Sequence, residues 1–176
     1  MRKLKNEELN RLSIEDFKKA KKIPLIVVLD NVRSMNNVGS VFRTGDAFLI
    51  EGIFLCGITA TPPHKDIHKT ALGSTESVSW KYYKDTVSAI EDLHKQKYMT
   101  IAVEQAEKSI KLKHLDVQKG KKYAVVLGNE VKGVEQKIVD MCKMVVDIDQ
   151  YGTKHSLNIS VCTGIVIWEF FNKLFK

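Results

Sequence analysis

Tyr123-Ala124-Val125-Val126-Leu127-Gly128-Asn129-Glu130-Val131-Lys132-Gly133 is the stretch that decides the fold. Its first five residues are apolar without alternation, too short for a buried helix and typical of a strand covered on both faces. Gly128 then breaks the run and lets backbone come close to whatever lies beyond the strand end. Leu25–Leu29, after Pro24, repeats the same kind of apolar run. Outward from these two, Ile53–Cys56, Ser77–Tyr83, Met99–Val103 and Met144–Ile148 read as further strands. Between them lie helical patterns. Asn36-Asn37 offers a cap for a helix carrying Val38, Val41, Phe42, Gly45, Phe48 and Leu49. Thr86–Lys95 turns Val87, Ile90 and Leu93 inward, Val134–Cys142 forms another helix, and Ser156–Leu174 forms a long last one. Thr59–Lys69, with Pro62-Pro63, reads as loop with room for a short helix, and Ser109–Leu115 follows neither period. Alternating strands and helices predict an α/β fold, a mainly parallel sheet with helices on both faces.

The chain has 176 residues, 44% of them hydrophobic, which suits one domain and excludes a disordered chain. No apolar run approaches the roughly 18 residues of a membrane span, and the basic N-terminus lacks the apolar core of a secretory signal. Three cysteines without a C-x-x-C pair point to a reducing, cytoplasmic setting. A net charge of +7 fits a polyanionic partner, because each neutralised phosphate releases condensed counterions. Basic residues concentrate before the first strand, at Arg2, Lys3, Lys5, Arg11, Lys18, Lys19, Lys21 and Lys22. Residues 1–23 therefore read as a basic helical arm, with Ser13 and Asp16 at a helix start and Leu9, Leu12 and Phe17 as its apolar stripe. Residues 24–176 form the main domain.

The phosphate cradles G-x-G-x-x-G and G-x-x-x-x-G-K-[ST] are absent, and so is the hydrolase elbow G-x-S-x-G. His64 and His68 have the spacing of helical metal ligands, but no third ligand is apparent beyond Cys56, and no metal site is expected. Cys142 and Cys162 fall at apolar helical positions and read as packing. Three segments are harder to explain as packing. In Asn37–Gly45, Arg43 shares a helix face with Gly39, and the glycine is expected to leave open space beside a guanidinium able to grip a phosphate. Leu127–Gly133 lies past a buried strand, where parallel sheets collect ligands. In Tyr151–Val161, Ser156 is expected to cap the last helix and leave Asn158 in its first turn.

In this order, Asn37-x-Gly39-x-x-x-Arg43, Leu127-Gly128-Asn129-Glu130 and Ser156-Leu157-Asn158-Ile159-Ser160-Val161 resemble the motifs of the SpoU/TrmH class of SPOUT RNA methyltransferases. Ala71-Leu72-Gly73-Ser74 is similar to a small-residue stretch of that family. Val131, Asp149-Gln150 and His155 depart from its usual residues. The resemblance implies a C-terminal trefoil knot, an S-adenosylmethionine site, a homodimer, and methyl transfer to a ribose 2′-OH of RNA. Leu127, Gly128, Asn129, Ile148 and Leu157 would frame the cofactor. Arg43, Asn37, Glu130, Ser156 and Asn158 would form the catalytic set, with Arg43 near the partner's cofactor. The short arm and the lack of a separate RNA-binding domain favour tRNA, with rRNA as the alternative. A non-catalytic RNA-binding protein of the same fold is the rival from another class; an oxidoreductase lacks its fingerprint. A base methyltransferase is disfavoured too, because Thr61-Pro62-Pro63-His64 has neither Asn nor an aromatic residue.

Overall fold

The computed structural model describes residues 1–175. Seven parallel strands form one sheet in the order β3-β2-β1-β6-β4-β7-β5. In chain order they are β1 (Ile23–Asp30), β2 (Ile50–Cys56), β3 (Trp80–Tyr83), β4 (Tyr98–Val103), β5 (Ile110–Lys111), β6 (Lys122–Leu127) and β7 (Met144–Asp147). The helices are α1 (Ile14–Lys19), α2 (Met35–Ala47), α3 (Lys65–Ala71), α4 (Ser74–Ser77), α5 (Thr86–Lys95), α6 (Gln136–Met141) and α7 (Ile159–Leu174). The central strand β1 shows why its residues are apolar from Ile23 to Leu29. Leu25, Val27 and Leu29 enter a core shared with α2, α3 and α7, while Ile26 and Val28 enter a second core shared with α5 and α6. A strand buried on both faces, with β2 and β6 paired to its two edges, has no polar side to alternate with. The α/β class with helices on both faces is thus as the sequence reads.

Several boundaries differ from that reading. The Ser77–Tyr83 run divides into the helical turn α4 and a four-residue edge strand of which only Tyr83 is buried. Thr59–Lys69 contains the start of α3, and His64 caps it by accepting the Asp66 N–H through Nδ1 at 3.2 Å. That bond gives His64 a helix-capping role. The helix expected to start at Asn36-Asn37 begins at Met35 instead, capped by Ser34. The last helix begins at Ile159, three residues later than expected, for a reason that lies in the site below. In the N-terminal segment Ser13 caps α1 as read, but of the expected stripe only Phe17 is buried; Leu9 and Leu12 are exposed. Among the described residues no helix is long and apolar enough to cross a membrane.

Candidate functional site

The strands β1, β4, β6 and β7 run parallel, so their C-terminal ends share one rim, where side chains and loops can converge. Beyond β6 the chain makes a tight loop. Asn129 and Gly133 exchange both backbone hydrogen bonds, at 3.0 and 2.9 Å, and the Asn129 carboxamide oxygen accepts from Val131 and Lys132. A side chain at Gly128 would run into the Gly133 and Val134 backbone, so glycine is required there by close approach. Gly133 has a φ of 68°, and a side chain there would run into the Glu104 carboxylate.

Glu130 leaves this loop and spans to the segment before α2. Its Oε2 accepts the Arg33 N–H and its Oε1 the Ser34 N–H, each at 3.0 Å, and Asn37 Nδ2 donates to Oε1 at 3.2 Å. Partial burial opposes ionisation of Glu130, but these hydrogen bonds outweigh it and hold the carboxyl below its usual range. Asn37 Oδ1 in turn accepts from Asn158 Nδ2 at 3.3 Å. Residues 93 and 121 positions apart in sequence are thereby linked, and the three segments singled out in the sequence meet at one network.

Asn158 also explains where α7 starts. Its side-chain oxygen accepts the Ser160 N–H at 2.9 Å, the Ser160 hydroxyl at 2.7 Å and the Val161 N–H at 3.4 Å. The cap is therefore Asn158 and not Ser156. Both residue types cap well, but only Asn158 has a second group, the amide nitrogen, that ties the helix start to Asn37. Ser156 is exposed.

The loops that follow β4, β6 and β7 enclose a cavity of about 640 Å³, within the usual range for small-molecule sites. Leu127, Gly128, Asn129, Ile148 and Leu157 line it, and so do Glu130, Ser156 and Asn158. Val131, Gln150 and His155, three of the positions that depart from the family pattern, line it as well. Asp149 instead pairs with Lys113 at 2.6 Å and with Lys111 at 3.5 Å. Asp147, buried at the cavity wall, pairs with Lys111 through one oxygen; the other has no partner among the described residues.

Arg43 stands elsewhere. It is exposed and lines a second cleft of about 310 Å³ with Leu12, Phe17, Asp46 and the Ala71–Ser74 turn. The expected open space at Gly39 is absent. A side chain there would strike Thr70 Oγ1 and the Ile67 carbonyl, so Gly39 serves the close packing of α2 on α3.

The sequence reading missed two residues. Glu104, just past β4, accepts the Val134 N–H at 3.0 Å, and Gln105 donates to the His155 carbonyl at 2.6 Å. The pair clamps two of the cavity loops to the end of β4. Only their position immediately after a buried parallel strand hints at this.

A family model, the SpoU rRNA Methylase family, matches residues 24–168. The chain belongs to that family. This SpoU-family chain is 26% identical over 161 residues to the 23S rRNA (guanosine-2′-O-)-methyltransferase RlmB of Neisseria meningitidis, a match covering 91% of the chain and 63% of that protein. Among solved structures it is similar to an AdoMet-bound rRNA methyltransferase from Sinorhizobium meliloti, at 25% identity and a TM-score of 0.82, covering 91% of the chain and 61% of the other. It is also similar to a TrmH/SpoU tRNA modifying enzyme from A. aeolicus, at 27% identity and a TM-score of 0.78, covering 91% of the chain and 79% of the other. The chain spans about three-fifths of the length of the curated relatives it matches.

Proposed function

We propose that the protein is an S-adenosylmethionine-dependent RNA methyltransferase acting on a ribose 2′-OH, with tRNA favoured over rRNA. The observation that carries this reading is the Glu130–Asn37–Asn158 network, which ties the family's first motif, through Asn37, to the two motifs that line the cavity. The cavity residues fit an adenosyl amino acid. Apolar Leu127, Ile148 and Leu157 offer faces to a base, and a buried carboxylate oxygen of Asp147 awaits a donor. The 2′-O position is supported by the RlmB relative, and tRNA by the greater share of the A. aeolicus tRNA-modifying chain that is matched.

When bound, the cofactor supplies a methyl group already activated on a cationic sulfur. The chain's own residues then need only position the hydroxyl and stabilise the charge it develops. A guanidinium does not give up its proton readily, so Arg43 binds the RNA phosphate next to the target ribose and stabilises the forming alkoxide. The proton passes to that phosphate or to water. Glu130 and Asn37 hold the start of α2, and Ser156 and Asn158 shape the loop facing the ribose. Residues 1–23 extend the basic surface toward RNA.

Arg43 lies outside the cavity of its own chain, so the reading places it against the cavity of a second copy, in a homodimer with the last loop knotted as in the family. The face for that copy is on α7. Val161, Ile165, Trp168 and Phe175 are 52, 38, 51 and 53% exposed, at spacings of four, three and seven that form one apolar stripe. The test is Arg43→Ala, with titration calorimetry for cofactor binding and mass spectrometry of methylated nucleosides in tRNA and rRNA incubated with the enzyme. Retained binding with lost transfer supports the assignment. Undiminished transfer refutes Arg43's role, ribosomal RNA as the only acceptor refutes the tRNA preference, and no cofactor binding by the unaltered chain refutes the whole reading.

A further inference from the structure

Three carboxylates line the large cavity, and they are not equivalent. Glu130 is taken up by three N–H donors. Asp147 is neutralised by Lys111. Glu104 has one backbone N–H on each oxygen, from Gln105 at 2.8 Å and Val134 at 3.0 Å, and no cation pairs with it among the described residues. Lys132 lines the same cavity without reaching it. A carboxylate has about four acceptor positions, so two N–H groups fix its orientation and leave lone pairs free. Its placement is also specified from the far side, because Gly133 must lack a side chain for the carboxylate to sit where it does. Its charge reaches into the cavity: burial first, and the Glu104 carboxylate second, push the Cys162 thiol up to about 11. An anion held by backbone donors in a partly enclosed cavity, unpaired and oriented, is an environment that favours a cationic ligand over a neutral one of the same shape.

We propose that Glu104 is the specificity-determining countercharge of the cavity, which strengthens binding of a sulfonium ligand relative to the neutral thioether of the same skeleton. This rests on the cofactor reading above and adds a direction to it. Transfer of the methyl group turns the sulfonium into a thioether, so the attraction of Glu104 is lost once the reaction is complete, and release of the spent cofactor is eased. Glu104 is a specificity residue of the binding step, and the role is separate from its structural bond to Val134.

The test is Glu104→Gln, which keeps an acceptor for the Val134 N–H and removes the charge. Affinities for S-adenosylmethionine and S-adenosylhomocysteine are measured by titration calorimetry on the full chain. The expected result is a loss of about tenfold in sulfonium affinity, worth about 1.4 kcal/mol, with thioether affinity changed less than twofold. Glu104→Asp, which restores a carboxylate on a shorter stem, recovers part of the ratio. Equal weakening of both ligands means that Glu104 only supports the loop and overturns the proposal, as does an unchanged ratio. If the unaltered chain binds neither ligand, the cofactor reading itself fails; that outcome is read from the unaltered chain alone and is distinct from a failure of Glu104. A thermal melt of the free variant identifies loss of folding, in which case the comparison is made with Glu104→Ala, which also removes the charge, and an unchanged ratio there overturns the proposal.

Discussion

Asn158 carries two duties that can be separated by substitution. Its side-chain oxygen caps α7, and its side-chain nitrogen joins that helix to Asn37. Loss of an N-cap costs about 1 kcal/mol, and a side-chain hydrogen bond at 3.3 Å in an exposed position adds about 0.5 kcal/mol. Asn158→Ala should therefore destabilise the protein by about 1.5 kcal/mol. The loss is felt globally, because α7 contributes Val166, Ile167 and Phe170 to the core. For a chain of this size the melting temperature should fall by roughly 3–6 °C. Asn158→Ser retains a capping oxygen and gives up only the bridge, so about 0.5 kcal/mol is expected. Ser156→Ala, at an exposed position that caps nothing, should stay within about 0.5 kcal/mol of the unaltered chain. Urea unfolding at fixed protein concentration, followed by far-UV circular dichroism, measures all three. The reasoning is refuted if Ser156→Ala costs as much as Asn158→Ala, or if the serine and alanine variants at 158 are equally destabilised.

Other outcomes follow from the same structure. Glu130 ionises more readily in the folded chain than its ordinary value of 4.5, so its contribution is present above that pH and is lost as pH falls through the lower folded value. Glu130→Gln should thus flatten the acid limb of stability against pH below about 4.5, and an unchanged limb in equilibrium unfolding would discard the assignment. Gly39→Ala should cost about 1–3 kcal/mol by overpacking α2 against α3. Adding Thr70→Ala should not restore it, because the Ile67 carbonyl still blocks the new methyl group; full recovery in a melt would show the contact was misjudged. In the proposed homodimer, Trp168→Asp should leave a monomer in light scattering, and an unaltered mass would remove the α7 stripe as the subunit contact.

The parts that could be read from the chain were those in which local pattern and tertiary role agree. Val125 and Val27 are paired neighbours in the sheet centre, and continuous apolar character is what such a position requires. The edge strand β3 was blurred because Trp80, Lys81 and Tyr82 are all exposed, which leaves no burial pattern to read. α3 was obscured by an unusual cap, a histidine following two prolines. β5 is two residues long and borrows its definition from β7. In the site, Asn37, Glu130 and Asn158 were all recognisable. The choice between Ser156 and Asn158 as the cap was not, because it is decided by a bond to a residue 121 positions away. Glu104 is not legible in the sequence for the same reason: its meaning comes from Val134, 30 positions on.

The placement of Arg43 depends on groups that never touch it. Asn37 and Arg43 are six residues apart on α2, about 9 Å along the axis and about 120° apart around it. One helix therefore meets the cavity network at its first turn and the second cleft further along. What fixes the start of that helix is Glu130, whose two backbone bonds fall on Arg33 and Ser34, immediately before Met35. A rigid helix transmits the position of its end to every side chain it carries. A carboxylate in the cavity loop thus sets where a guanidinium in a different cleft is presented. The glutamate and the arginine of the two motifs act as ends of one lever, which gives a physical reason for both to be present in a site where they make no contact.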